Sequence, residues 1–173
     1  MHRHSFVPSH WDEAVRYFHK IVEGINVLPV MHPIMRNPAW WEQDDIVLRN
    51  GASGEFTAQD APLLKQIPSA KAFGLDLMKL VSGSQLGRMV ISRVEYGKKF
   101  VPTKEANGKY REFYSRYHLI LQGLPGNLFT CGNETVAMLT GEVYWFDMLS
   151  DYFLLNNSAD DRIHLQIDVR IDP

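Results

Sequence analysis

Two predicted strands each carry an arginine and a histidine that are two residues apart. The pairs are Arg116 with His118 and Arg162 with His164. Because side chains alternate between the two faces of a strand, the members of each pair project the same way, about 7 Å apart. We expect the faces that carry these residues to lie in a mostly apolar layer. An arginine buried in that layer needs an anionic partner, since an unpaired buried charge is very costly. The partner is either a carboxylate of the protein or a bound anion, and a carboxylate ligand suits the planar guanidinium.

The strands that position these residues lie in the second half of the chain, where apolar residues recur with a period of two. Turn residues separate eight short runs of this kind. Eight strands with regular turns predict a sandwich or barrel rather than a parallel α/β sheet. The predicted strands are 88–94, 98–101, 114–122, 128–131, 135–139, 142–146, 152–155 and 162–170, and the predicted turns are Asn107-Gly108, Pro125-Gly126-Asn127, Gly132-Asn133 and Thr140-Gly141.

The first 85 residues are predicted to form helices and loops. Apolar residues from Trp11 to Ile25 recur at helical spacing, and Ser9 suits the cap of that helix. Prolines and polar residues over 26–38 indicate a loop, or an edge strand at best. The later predicted elements are a short strand over 45–49 that runs into a turn at Asn50-Gly51, a loop over 52–57, and a helix that follows Pro68, is capped by Ser69 and ends by 83–87.

Composition limits the classes of function. The chain has 173 residues, of which 45% are hydrophobic, so it is long enough for one domain with a sizeable core. A formal net charge of -2, from 18 basic and 20 acidic side chains, gives no electrostatic case for a nucleic-acid partner. The single cysteine, Cys131, excludes an internal disulfide and a zinc site built from several cysteines.

Targeting signals are also not evident in the sequence. There is no run of about 18 apolar residues, so we expect no membrane span and no membrane partner. The opening residues lack an apolar stretch of signal-peptide length, and the cytoplasm is the expected location. We predict a single domain over 1–173, in which a helix and loop region, 1–85, packs on a β core, 86–173.

Several segments, in order and at matching spacing, resemble the aspartyl/asparaginyl β-hydroxylase-like family of Fe(II)/2-oxoglutarate-dependent oxygenases, in particular its short stand-alone members. The resemblance is strong over roughly 86–170 and weaker before it, although the run DDIVLR at 44–49 is also similar to the family. The segments are LGR at 86–88, ISR at 91–93, RYHL at 116–119, CGNET at 131–135, GEVYWFD at 141–147, NNSADDRIHL at 156–165 and IDVR at 167–170.

The resemblance implies a fold and a cosubstrate. The fold is a double-stranded β-helix of the jelly-roll or cupin type, mainly β, with the N-terminal helices covering one sheet. The cosubstrate is 2-oxoglutarate. By position, Ser92, Arg116, His118 and Arg162 match the residues that hold it, with the arginines on its carboxylates and His118 as a hydrogen-bond donor.

The chain departs from the family at all three metal-ligand positions. The family's Pro-His-x-Asp or Pro-His-x-Gly segment matches Pro102-Thr103-Lys104-Glu105, so Thr103 replaces the first histidine and Glu105 stands at the optional carboxylate. The second histidine matches Tyr152. A ferrous site of this type requires imidazole nitrogens together with a carboxylate. The substitutions therefore argue against Fe(II) as a cofactor.

Three functions follow from these observations. The first is a pseudo-oxygenase that has lost its iron ligands and binds a 2-oxo acid or dicarboxylate, or a protein partner. The alternative is an active 2-oxoglutarate-dependent dioxygenase, a hydroxylase with an atypical metal site rebuilt from His118, Glu105 and His164. The third is a structural or interaction role, in which the bulky run Tyr152-Phe153-Leu154-Leu155 fills the mouth of the barrel.

Overall fold

The protein consists mainly of antiparallel strands. The computed structural model describes residues 17–36, 44–51, 57–101, 113–148 and 150–172. The strands within these ranges are β1 (Phe18–Val22), β2 (Asp45–Gly51), β3 (Ala58–Asp60), β4 (Gln85–Val94), β5 (Lys99–Phe100), β6 (Tyr114–Gln122), β7 (Asn127–Cys131), β8 (Glu134–Ala137), β9 (Val143–Phe146), β10 (Tyr152–Asn156) and β11 (Arg162–Arg170); the helices are α1 (Leu28–Arg36) and α2 (Pro68–Leu80), with a short 3₁₀ helix at Pro62–Gln66.

The described strands form two sheets. The larger sheet has seven strands in the order β1-β9-β6-β11-β4-β2-β3, and the smaller has four in the order β5-β10-β7-β8. Strand β11 pairs with β6 on one side and β4 on the other, and both pairings are antiparallel. The predicted β fold is therefore confirmed: the molecule is a double-stranded β-helix, with β11 in the centre of its larger sheet.

Two apolar layers lie on opposite faces of the larger sheet, as the alternation of β6 and β11 predicts. On the outer face, Tyr117 and Leu165 pack with buried residues of both helices, including Ile34 and Leu77. On the inner face, residues of the larger sheet pack against the smaller sheet around Phe129. The expectation that helices cover one sheet is confirmed. Arg116, His118, Arg162 and His164 lie at positions that alternate with the outer layer.

All eight strands predicted after residue 85 are present. The bounds of the two arginine-bearing strands, 114–122 and 162–170, are confirmed to the residue, and the other six differ by one to three residues at their ends. Three predicted turns have a glycine with positive φ: Gly126 at 103°, Gly132 at 58° and Gly141 at 85°. The predicted turn at Asn107-Gly108 lies outside the described residues.

The predictions for the first half were less accurate. The segment Phe18–Val22 was predicted as helix but is an edge strand, β1, paired with β9. Its aromatic and β-branched residues fit a strand as well as a helix, and pairing with β9 buries Phe18 against the smaller sheet. The part of the predicted helix before residue 17 lies outside the described residues.

The loop predicted over 26–38 is also corrected, because Leu28–Arg36 forms helix α1. Proline is tolerated in the first turn of a helix, where amide groups have no partner within the helix, so Pro29 does not prevent α1 from forming. Pro33 lies inside the helix and cannot donate to the carbonyl of Pro29. That carbonyl instead accepts a hydrogen bond of 2.9 Å from the hydroxyl of Ser69 on α2.

Two smaller local predictions were wrong. The helix after Pro68 is confirmed as α2, but Ile67 occupies its N-cap and makes no side-chain capping bond, whereas Ser69 lies in the first turn. Asn50 and Gly51 stay within strand β2 and pair with β3 instead of forming a turn. Among the described residues, no helix is both long enough and apolar enough to cross a membrane.

Candidate functional site

The inner face of the larger sheet brings together three strands that carry the predicted site residues. His118 is on β6, Ser92 is on β4, and Arg162 and His164 are on β11 between them. Direct pairing places Ser92 opposite His164. Strands β7, β9 and β10 contribute the aromatic side chains of Phe129, Phe146 and Tyr152 to the same region.

Arg162 is almost completely buried, with 1% of its surface exposed. One guanidinium nitrogen, Nη1, lies 3.3 Å from Nδ1 of His164, and the other, Nη2, lies 3.5 Å from the sulfur of Met138. The guanidinium carbon is 5.7 Å from the centre of the Phe129 ring. No carboxylate among the described residues pairs with Arg162. Burial lowers the pKa of Arg162 to about 9.

His118 is buried, and neither of its ring nitrogens has a hydrogen-bond partner among the described residues. Its ring packs on Phe146 at 4.8 Å between centroids and stacks on His164 at 5.2 Å. Burial, followed by the charges of Arg116 and Arg162, holds the pKa of His118 well below its ordinary value. A neutral imidazole has one donor nitrogen and one acceptor nitrogen, so His118 has hydrogen-bonding capacity to offer a ligand.

Arg116 differs from Arg162 because it has a protein partner. Its Nε and Nη2 atoms donate to the two oxygens of Asp168 on β11 at 2.6 Å and 2.8 Å. This two-point pairing is the protein-carboxylate alternative that the sequence left open for an interior arginine. Asp168 occupies two of the three nitrogens of Arg116, and the ligand-binding role that the family resemblance implies for Arg116 stays a prediction.

Ser92 is likewise committed to neighbours in the sheet. Its hydroxyl donates to the carboxylate of Asp45 on β2, and its oxygen accepts a hydrogen bond of 3.0 Å from the amide of Gln166 on β11. The only hydrogen of the hydroxyl therefore goes to Asp45. Ser92 is thus linked to the site through Gln166, which also lies 3.2 Å from Nε2 of His164.

The described residues do not fit an iron site. Tyr152, at the position of the family's second histidine, stacks on Phe129 at 5.7 Å and packs against Phe146 at 4.9 Å. In the ranges that the structure describes, no group of three or more histidine, cysteine and carboxylate side chains could hold a metal ion. Thr103 and Glu105 lie outside the described residues. A phenol among aromatic rings and two stacked imidazoles is not the donor set that ferrous iron takes in this fold.

Sequence reasoning missed several contributors to the site. Asp168 shares a strand face with Arg162, which was a usable signal, but nothing in the sequence paired it with Arg116. The role of Gln166 was missed for the same reason. Asp45 was noted only as part of a family-like run. The sequence did not indicate that Phe129 and Phe146 contact the rings of His118 and Tyr152.

Three solved structures share the fold and have little sequence identity to this chain. An oxidoreductase of the 2OG-Fe(II) oxygenase family from Burkholderia pseudomallei matches with a TM-score of 0.56 and 13% identity, over 73% of this chain and 67% of that one. A viral collagen prolyl hydroxylase from Paramecium Bursaria Chlorella virus-1, in complex with 2OG, matches with a TM-score of 0.55 and 9% identity, over 91% and 97%. A Pseudomonas putida prolyl-4-hydroxylase matches with a TM-score of 0.51 and 10% identity, over 92% and 95%.

These likenesses establish the fold, and the sequence itself establishes the family. No curated protein matches the chain. The model of the aspartyl/asparaginyl beta-hydroxylase family matches residues 36–171, which include both sheets apart from β1. The match spans well over half of the chain and agrees with the resemblance in the segments around Arg116 and Arg162. The chain therefore belongs to the aspartyl/asparaginyl beta-hydroxylase family.

Proposed function

We propose that the protein binds a small dicarboxylate or 2-oxo acid, such as 2-oxoglutarate, inside the β-helix and has lost iron-dependent oxygenation. It would then be a pseudo-oxygenase that keeps the cosubstrate pocket of its family. The observation that carries this proposal is the environment of Arg162, a buried guanidinium with no carboxylate partner among the described residues.

The burial of Arg162 favours a ligand over a purely structural role. Removing a charged guanidinium from water costs several kcal/mol unless an anion compensates for it. The described neighbours of Arg162 supply an imidazole nitrogen and a thioether sulfur, both of which are neutral. A bound carboxylate would supply the missing negative charge and accept two parallel hydrogen bonds.

His118 supports the same proposal from a neighbouring strand. Its two ring nitrogens are buried without partners, and such groups in native proteins usually have one. Its ring stacks on that of His164, whose Nδ1 lies next to Arg162. A ligand that extends from Arg162 towards His118 would satisfy both residues. This placement agrees with the cosubstrate roles that the family resemblance implies for the two positions.

The proposed loss of oxygenation depends on the metal positions. Thr103 offers only a neutral hydroxyl, and Tyr152 packs its ring against those of Phe129 and Phe146. Neither side chain replaces an imidazole as a ligand of ferrous iron. Iron in the family activates oxygen, so without it the retained pocket would bind the acid but not turn it over.

Calorimetric titration of the purified chain with 2-oxoglutarate tests the binding proposal. We expect one-site binding to the wild-type protein. In Arg162→Met the affinity should fall on the order of 100-fold, because truncating one partner of a buried charge pair costs several kcal/mol. Arg170→Met is the matched control, because it removes an arginine from the same strand whose partner is Asp172 at the end of the chain. Wild-type protein that binds neither 2-oxoglutarate nor succinate would overturn the proposal and favour a filled barrel.

The competing function is an active hydroxylase with an atypical metal site. It requires a carboxylate from Glu105, outside the described residues, together with the two stacked imidazoles of His118 and His164. It predicts oxygen-dependent formation of succinate from 2-oxoglutarate with added Fe(II), and loss of that turnover in Glu105→Ala and His118→Ala. Turnover in the wild-type protein would refute the pseudo-oxygenase, whereas binding without turnover supports it.

A further inference from the structure

A chain of four hydrogen-bonded contacts crosses the inner face of the larger sheet. It begins at Asp45 on β2, passes through Ser92 on β4 and Gln166 and His164 on β11, and ends at Arg162. Among the described residues, the hydroxyl hydrogen of Ser92 and each ring nitrogen of His164 have one contact apiece. The protons along the chain can therefore be assigned one by one.

The assignment begins at the buried end. Arginine can only donate, so Nδ1 of His164 accepts the contact from Arg162 at 3.3 Å. His164 is neutral, because burial and then the charge of Arg162 lower its pKa well below the ordinary value. A neutral imidazole with an accepting Nδ1 carries its single proton on Nε2. Nε2 of His164 is therefore a donor.

The assignment from the outer end leads to a conflict. Ser92 gives its only hydrogen to Asp45, so its oxygen must accept from Gln166. The amide nitrogen of Gln166, a donor, then lies 3.2 Å from the donor Nε2 of His164. Exchanging the amide nitrogen and oxygen of Gln166 does not remove the mismatch, because the oxygen would then face the oxygen of Ser92. Either arrangement leaves two like groups in contact.

An acceptor from outside the protein resolves the conflict. An anionic oxygen placed against both residues would accept one hydrogen bond from Nε2 of His164 and one from the amide nitrogen of Gln166, beside the guanidinium of Arg162. We propose that His164 and Gln166 are direct ligand-binding residues, that they donate to the carboxylate held by Arg162, and that the Asp45–Ser92 contact positions the amide of Gln166. His164 and Gln166 have this role only if the protein binds an acid as proposed above.

The proposal specifies the chemistry of the ligand group. Arg162, Nε2 of His164 and the amide nitrogen of Gln166 are all donors, so they favour an acceptor-only group such as a carboxylate. A neutral amide or hydroxyl can accept too, but it also carries a hydrogen that would oppose one of these donors. Succinamic acid, in which one carboxylate of succinate becomes an amide, tests this requirement. Succinamic acid should bind with no higher affinity than a monocarboxylate of the same length. Succinate and 2-oxoglutarate, which keep both carboxylates, should bind more tightly than either.

Four variants in the full chain separate this role from a structural one. Gln166→Met and His164→Phe remove the donors and should weaken 2-oxoglutarate binding by about tenfold or more, the usual effect of losing a hydrogen bond to a charged group. His164→Gln keeps a donor near the position of Nε2 and should recover most of the affinity. Gln59→Met, on the exposed edge strand β3, is the control for a glutamine-to-methionine change. Thermal unfolding of each variant confirms that it is folded.

The outcomes distinguish this proposal from the proposed function. Wild-type binding with unchanged affinity in both Gln166→Met and His164→Phe would overturn the role of these two residues and leave the binding function intact. If His164→Gln is as weak as His164→Phe, shape rather than a donated hydrogen bond explains the effect, and the proposal fails. A wild-type protein that binds neither 2-oxoglutarate nor succinate overturns both.

Discussion

Arg116 and Asp168 stand directly opposite each other on neighbouring strands of the larger sheet and are joined by two hydrogen bonds. Arg162, on the same strand as Asp168 and also facing inward, has no such partner among the described residues. The two arginines thus have similar sequence settings but different electrostatic settings. The charge of Arg116 is compensated by Asp168, whereas the described neighbours of Arg162, His164 and Met138, carry no negative charge.

This difference predicts different effects of the two arginines on the free energy of unfolding. Arg116→Met should lower the free energy of unfolding by about 3–5 kcal/mol, because it leaves the carboxylate of Asp168 buried without its partner. Arg162→Met removes an uncompensated buried charge and should leave the free energy of unfolding unchanged, or raise it by about 1–2 kcal/mol. Urea denaturation at pH 7 without added anions measures both.

A second variant tests the Arg116–Asp168 pair from the side of the carboxylate. Asp168→Asn keeps the shape of the side chain and should likewise destabilise the protein, because Arg116 then loses its countercharge. Equal destabilisation by Arg162→Met and Arg116→Met would mean that Arg162 is held by a protein partner. The proposal of a ligand-binding arginine would then lose its main support.

The second half of the fold was predictable because its signals are local. Alternation alone located the strands that carry His118 and Arg162 and assigned these side chains to the inner face. Pairing was not predictable in the same way. Arg116 meets Asp168 only because β6 pairs with β11, which lies 40 or more residues later in the sequence, and no local pattern encodes that choice.

The hydrogen bonds that Ser92 makes with Asp45 and Gln166 were unpredictable for the same physical reason. These two hydrogen bonds join β2, β4 and β11, which are distant from one another along the chain. The errors in the first half have another cause. The segment Phe18–Val22 is too short for the spacing of its apolar residues to distinguish helix from strand. The prolines of α1 indicate a loop by themselves, but the hydroxyl of Ser69 donates to the carbonyl of Pro29, which Pro33 cannot bond, and a helix forms.

Stability should fall as the pH is lowered from about 7.5 towards 5. Burial, followed by arginine charges, lowers the pKa of both His118 and His164 in the folded protein. In the unfolded chain these groups take up protons near pH 6.5, so the unfolded state binds more protons below that pH. The stabilisation is therefore complete above pH 6.5 and is lost as the pH falls, by up to about 1.4 kcal/mol per pH unit for each histidine.

Urea denaturation midpoints at pH 7.5, 6.5 and 5.5 measure this slope. His19, whose pKa burial also lowers, contributes in the same direction. His164→Gln removes one titrating group and should make the profile less steep, whereas His32→Gln, an exposed histidine on α1, should leave it unchanged. A stability that is flat or rises between pH 6.5 and 5.5 would contradict the buried neutral imidazoles on which the hydrogen-bond assignment at the site depends.

Two glycines with positive φ form a matched pair that tests the turn before β7. A side chain at Gly97 would meet nothing within 4 Å, so Gly97→Ala carries only the conformational cost of its φ of 75°, about 1 kcal/mol. A Cβ at Gly126 would lie 2.4 Å from the backbone oxygen of Asn157. Gly126→Ala should therefore be more destabilising than Gly97→Ala, by roughly 1–3 kcal/mol. Similar losses in both variants would show that the turn relaxes freely.

Restoring the two imidazoles should restore metal binding if the family positions are matched correctly. The double variant Thr103→His with Tyr152→His places histidines at both positions and keeps Glu105 as the carboxylate, which is the donor set that ferrous iron prefers in such sites. We expect about one Fe(II) per chain after anaerobic loading and dialysis, measured by metal analysis, with little or none in the wild-type protein or either single variant. Tyr152→Phe with Thr103→His controls for the loss of the phenol group. Equal metal content in this control and in the double-histidine variant would show that Tyr152 does not occupy the second ligand position, and the interpretation of the chain as a family member with lost iron ligands would have to be abandoned.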